Sequence, residues 1–197
     1  MKLSEKKRLQ IVTAAESLFA SQGVEATSMD QVSSLAEVSK RTVYNHFATK
    51  GELFQAVLEA MFAKVDQGKQ FQFTLDCSIE SQLMEIAVQE VQLLTSPAFL
   101  KIAKVAFMQM LQDANLANSL NGQSVGCLRF FEQFLSDAVK AKVLTVDDVS
   151  LAAKQFVYQL KSLLFYPLLY GISSKDELNV DYLVLETVKL FLARYQK

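Results

Sequence analysis

The chain has 197 residues, 51% of them hydrophobic, and its 20 Lys/Arg against 21 Asp/Glu leave a formal net charge of −1. That length exceeds what a lone three-helix unit needs, so a substantial second core is expected, and the near-neutral balance does not by itself advertise a polyanion partner. With no N-terminal apolar run, no apolar stretch long enough to span a bilayer, two distant cysteines (Cys77 and Cys127) and a single histidine, the sequence points away from secretion, a membrane partner, a disulfide framework and a metal centre. The expected location is the cytoplasm.

The charge is unevenly distributed. Up to Lys50, seven basic residues face five acidic ones, a net of +2, and the remainder carries −3. Lys2, Lys6, Lys7 and Arg8 fall in a tail or in the first turns of a first helix, where a phosphate backbone has room to pass. Ile11, Val12, Ala15, Leu18 and Phe19 give that helix its apolar frame, and Gly23 ends it.

Residues 27–51, TSMDQVSSLAEVSKRTVYNHFATKG, read as two short helices joined by a tight turn. Thr27 or Ser28 supplies the N-cap of the first, Asp30 sits where the helix dipole favours an anion, and Met29, Val32, Leu35 and Ala36 repeat at helical spacing, so a helix over 29–35 is expected. Val38 anchors the turn and Ser39 caps the second helix. There Val43 and Phe47, four apart, share the inward face. Lys40, Arg41, Tyr44, Asn45 and His46 point elsewhere. In an ordinary helix they form a solvated face; together they are also two cations, a phenol, an amide and an imidazole, all of which hydrogen-bond phosphates or base edges in a major groove.

The apolar frame ending at Gly23, the Thr27-Ser28 pair, the run Ser39-Lys-Arg-Thr-Val-Tyr-Asn-His-Phe47 and Lys50-Gly-Glu-Leu53 closely resemble the DNA-binding domain of the tetracycline-repressor (TetR) family of bacterial transcriptional regulators. The resemblance implies that the helix beginning at Ser39 is a recognition helix. It implies that Tyr44 and His46 touch DNA backbone or bases, that Lys50 contacts a phosphate, and that Thr27 and Ser28 offer phosphate-binding hydroxyls. Lys40, Arg41, Thr42 and Asn45 complete the candidate DNA-contacting set with Ser39. One position departs from the family: Glu37 stands where glycine is usual, so it takes either an ordinary turn conformation or a strained one.

Leu53, Phe54, Val57, Leu58, Met61, Phe62 and Val65 extend a fourth helix out of this unit, so a DNA-binding domain over 1–50 and a second domain over 51–197 are expected. After the polar stretch 68–76, Ser78 caps a helix with Leu83, Ile86, Val91 and Leu94, which stops at Thr95-Ser96 before Pro97; Pro97 opens the next, with Leu100, Val105, Phe107, Met108 and Leu111. Asn115 to Gly126 reads as a loop. Leu128, Phe131, Phe134, Leu135 and Val139 mark a helix that breaks at 142–145. Asp147 or Asp148 opens one over about 149–170 that is apolar around much of its girth, and a last runs over about 180–195. No segment alternates with period two, so the expected fold is all-α, about nine helices, with an N-terminal three-helix helix-turn-helix domain and a C-terminal helical ligand-binding and dimerisation domain.

Aromatic stripes in that second domain ordinarily make core. The family resemblance implies instead a small-molecule pocket, for which Phe62, Phe107, Met110, Phe130, Phe134 and Phe165 are the candidate lining and a small apolar molecule the candidate effector. The segments Arg129 to Phe134 and Lys142 to Asp148 also look similar to the C-terminal domains of efflux-pump and surface-trait regulators within the family. Surplus apolar surface on the last two helices suits a symmetric homodimer, which is how the family pairs, and which would present two recognition helices ~34 Å apart to a palindromic double-stranded operator. The expectation is a ligand-released repressor. An enzyme is disfavoured for want of a phosphate loop, nucleophile elbow or metal-spaced cluster, and no cofactor is expected. A helical interaction adaptor explains the apolar helices but gives the Lys40 to His46 face no purpose.

Overall fold

The computed structural model describes residues 3–65, 68–112 and 126–196. Among the described residues there are nine helices and a short 3-10 turn, and no strand, only an isolated bridge between Leu144 and Gln196. The chain divides into two compact units, Met1–Lys64 with Ala106–Gly122, and Val65–Val105 with Gln123–Lys197.

In the first unit, α1 (Leu3–Gln22), α2 (Met29–Leu35) and α3 (Lys40–His46) pack on one another, followed by α4 (Lys50–Val65). Ile11, Val12, Ala15 and Phe19 of α1 are buried, as are Met29, Val32, Val43, Phe47, Leu53 and Phe54, and the Phe19 and Phe54 rings meet edge to face at 5.6 Å. Ser28, of the two cap candidates, is the one that caps α2. Its Oγ accepts from the Gln31 N–H at 3.2 Å, and its own N–H donates to Gln31 Oε1 at 2.7 Å, a reciprocal box written in the sequence as Ser-x-x-Gln. Leu35 departs from expectation: it is 52% exposed, because Met29, Val32, Ser33 and Ala36 hold the inward stripe and leave it at the edge.

The α2–α3 turn closes by two crossed bonds, Val38 N–H to Ser33 O (3.1 Å) and Glu37 N–H to Ser34 O (3.3 Å), which require a left-handed residue at 37. Glu37 takes it, at φ 54°. The alternative left open by the sequence is thereby resolved toward strain.

The second unit contains α5 (Ile79–Leu94), the first part of α6 (Pro97–Gln112), α7 (Leu128–Lys140), α8 (Val149–Leu169) and α9 (Val180–Tyr195). Its core is a run of rings: Phe131 to Phe156 at 4.9 Å, Phe156 to Phe191 at 5.2 Å and Phe191 to Tyr195 at 4.8 Å, set among Leu83, Ile86, Leu160 and Val188. The predicted continuous helix over 149–170 is α8, but it is not uniform: α-helix over Val149–Leu160 passes into a π-turn at Lys161–Phe165 and back to α over Tyr166–Leu169. Pro167 gives the reason. It lacks an N–H and its ring would crowd the carbonyl four residues back, so the ladder slips one residue ahead of it and the Tyr166 N–H bonds to Lys161 O.

The polar segment before α5 is a strap fixed by two glutamines. The Gln89 side-chain amide takes both backbone groups of Lys69 (2.9 and 2.7 Å), and buried Gln82 takes the N–H and carbonyl of Thr74 (3.0 and 2.9 Å). Phe71 and Phe73 of the strap then lie against Phe130 and Phe134 of α7 at 5.9 and 5.8 Å. Of the expected loop from Asn115 to Gly126, all but Gly126 lies outside the described residues, as does Lys2.

Candidate nucleic-acid interface

Burying Val43 and Phe47 fixes the rotation of α3 about its axis, and the rest of its surface follows. Arg41, Tyr44 and Asn45 are exposed and make no hydrogen bond or ion pair within the described residues; Tyr44 is 50% exposed despite its ring. Ser39 caps the helix through Thr42 N–H (3.1 Å), and its hydroxyl lies 2.8 Å from that of half-buried Thr42. His46 is half-buried beside Phe47, whose ring also carries the Arg8 guanidinium at 5.0 Å.

Two cations of the expected set have internal partners. Lys40 forms an ion pair with Asp30 of α2. Lys50, half-buried, donates to the carbonyls of Val24 (3.0 Å) and Glu25 (3.2 Å), with the Glu25 carboxylate at 3.9 Å, so it ties the start of α4 to the α1–α2 loop. Ser28 is exposed.

Thr27 corrects the expectation of a surface hydroxyl. It is 2% exposed; its Oγ1 donates to Gly23 O at 2.7 Å and accepts from Gln22 Nε2 at 3.1 Å, which spends the hydroxyl inside the unit. This engagement was not legible from residue types, because the competing acceptor is a backbone carbonyl just past the end of α1. The Arg8–Phe47 and Asp30–Lys40 pairings also escaped sequence reading, since only the fold brings their partners together.

The six candidate effector-lining residues do not fall in one unit. Half-buried Phe62, Phe107 and Met110 belong to the first and Phe130, Phe134 and Phe165 to the second. Phe134 is 1% exposed and stacked on Phe131 at 5.9 Å. Phe165 sits in the π-turn, edge to face with Phe99 at 5.8 Å.

A buried carboxylate is the second unit's other notable polar feature. Glu90, 2% exposed, accepts the Cys127 N–H at 2.7 Å, where the N-cap of α7 has no side-chain cap of its own. Burial pushes the Cys127 thiol well above its ordinary range, and the charge and hydrogen bond of Glu90 push it further. On α8 and α9, Leu151, Tyr158, Leu163, Tyr182 and Leu190 are left exposed.

A short helical hairpin whose second helix buries two residues and presents a basic, hydroxyl- and amide-bearing face, joined to a second helical unit, defines a helix-turn-helix regulator. Residues 11–57 match the bacterial regulatory proteins of the tetR family, and residues 81–197 match the C-terminal domain of the AefR-like transcriptional repressors. The HTH-type transcriptional regulator SrpR of Pseudomonas putida is 29% identical over 175 residues, 88% of this chain and 79% of that protein. The crystal structure of a TetR family transcriptional regulator from Pseudomonas syringae pv. tomato strain DC3000 matches 98% of this chain and 99% of that one, with TM-score 0.73 and 31% identity. The flavonoid-responsive regulator FrrA matches 98% of both chains at TM-score 0.82 and 27% identity. The chain belongs to the TetR family, and is a transcriptional regulator and not an enzyme.

Among the described residues no single helix is long and apolar enough to cross a membrane.

Proposed function

We propose that the protein is a ligand-responsive cytoplasmic repressor that binds a palindromic operator as a homodimer and is released by a small apolar effector. The observation that carries this is the face of α3: with Val43 and Phe47 buried, Arg41, Tyr44 and Asn45 stand free toward solvent, where they can enter a major groove. Ser28, Ser39, Lys40, Thr42, His46 and Lys50 flank them and, with the Tyr44 hydroxyl, serve as backbone-positioning groups. In this reading residues 1–50 read DNA, and 51–197 bind effector and partner.

The exposed apolar side chains on α8 and α9 support pairing through those two helices, since single exposed hydrophobes are ordinary but a series along two adjacent terminal helices is not. The aromatic-rich second unit, and a structural relative described as flavonoid-responsive, support an apolar, ring-bearing effector. Effector and operator act on one equilibrium, so the effector's preference for the DNA-free state limits release, typically to ~1–3 kcal/mol of coupling.

Selecting bound fragments from genomic DNA, then titrating them by fluorescence anisotropy at rising salt, tests the proposal. Palindromic fragments whose binding weakens with ionic strength are expected. Tyr44→Ala should weaken all sites alike and Arg41→Ala should alter base preference. No retention of duplex DNA at low salt would remove the reading and favour a protein-interaction adaptor.

A further inference from the structure

Beside α3 lies an open groove of about 440 Å³ that the DNA-contacting set above does not use in full. Leu3, Ser4 and Lys7 from the first turns of α1 form one wall, and Thr42, Asn45 and His46 from α3 the other. Five of these six side chains carry N–H or O–H groups able to donate, one is a cation, and none is a carboxylate. A groove so lined has donors and positive charge to spare and no anion of its own.

Lys7 sharpens the point. Lys40 is paired with Asp30, Lys50 with the Val24 and Glu25 carbonyls, Lys64 with Glu16, and Arg8 lies over Phe47. Lys7 is half-buried, yet has no ion pair or hydrogen bond within the described residues. A half-buried lysine left without a counter-charge suits an anion supplied from outside. Asn45 and His46 border the groove from the helix whose exposed face carries the base-reading residues, so an anion held here lies alongside the strand that helix reads.

We propose that this groove seats a phosphodiester of the operator backbone, with Lys7 as its ion partner and Ser4, Asn45 and His46 as donors, so that α1 joins α3 in gripping the duplex. The assignment rests on the DNA-reading role proposed for α3 and adds to it a backbone contact from α1. Lys7 positions the protein on DNA and carries no sequence information.

Anisotropy titrations of the full chain and of Lys7→Gln, on selected operator DNA over a range of potassium chloride, test it. In the proposed homodimer each protomer loses one phosphate contact, two per operator, so the slope of log K against log salt should fall by about 1.8 and affinity by roughly thirtyfold at 0.15 M salt. The ranking of base-substituted operators should not change, and Lys7→Arg should restore the slope. Ser4→Glu, which places an anion in the groove, should weaken binding at least as much, with thermal melting unchanged in each variant. Ethylation of one particular phosphate in each half-site should weaken binding of the parent protein several-fold and leave binding of Lys7→Gln unchanged. An unaltered salt slope in Lys7→Gln, or an altered base ranking, overturns the groove assignment while leaving α3 as reader. Failure of the parent protein to bind duplex DNA overturns the DNA-reading role itself.

Discussion

On the side proposed to face DNA, single residues are set against one another. Asp30 neutralises Lys40, and its carboxylate would lie close to any phosphate that Lys40 met. Asp30→Asn frees the cation and removes the anion, so it should raise affinity for random-sequence duplex several-fold at low salt and steepen the salt dependence, which titrations of unrelated DNA will show. Glu37 holds a left-handed backbone that costs a non-glycine residue roughly 1–2 kcal/mol, so Glu37→Gly should stabilise the first unit by up to about 1 kcal/mol after the entropy lost by glycine, read as a raised melting temperature. The cysteines divide similarly. Cys77 is exposed and Cys127 buried. A thiol-directed reagent at neutral pH should label Cys77 and spare Cys127 until the protein is denatured. Because the folded Cys127 holds its proton above the ordinary value of 9.0, the unfolded chain loses protons first as pH rises past that value. Stability should then fall on the alkaline side, and fall less in Cys127→Ala.

At the level of elements, helix ends and interruptions matter more than helix interiors. α7 begins without a side-chain cap from its own N-cap residue, and Glu90 of α5 fills the role from a distance. Gly126 makes room for it: its φ is 74°, and a Cβ there would stand 2.8 Å from Glu90 Oε1 and closer to Oε2. Gly126→Ala should therefore destabilise the second unit by about 2 kcal/mol or more, through the left-handed backbone and the collision together, measured by denaturant unfolding. The strap before α5 depends on Gln82, whose amide holds Thr74 by both backbone groups and also reaches the Cys77 carbonyl at 3.0 Å. The helix boundaries of α5, α6 and α9 were legible in Ser78, Pro97 and the Val180–Tyr195 pattern because caps and prolines act locally. The π-turn was not, since the composition of Lys161–Phe165 is that of any helix and only the need to accommodate Pro167 within a packed rod selects the slip.

For the whole molecule, the unfinished surface is that of α8 and α9. A charged residue at Leu190, 60% exposed, should cost an isolated chain little, but in the proposed homodimer it would bury an unpaired charge. Leu190→Glu should shift the protein toward monomer in sedimentation and lower operator affinity in step, while leaving its far-ultraviolet dichroism intact. A protein that sediments as a monomer before substitution would contradict pairing through these helices.

The sequence by itself determined the helical class, most helix ends and the outward set on α3, because periodicity and caps are local: Val43 and Phe47, four apart, decide where Arg41, Tyr44 and Asn45 point whatever else surrounds them. Only the tertiary structure decided which of the polar candidates were already engaged. Thr27 is withdrawn by the Gly23 carbonyl, Lys40 is matched by Asp30, Lys50 is tied to a loop some 25 residues earlier, and Lys7 is left open against α3. A side chain's residue type sets what it can bond, but its availability depends on which distant donors and acceptors the fold places within about 3 Å of it.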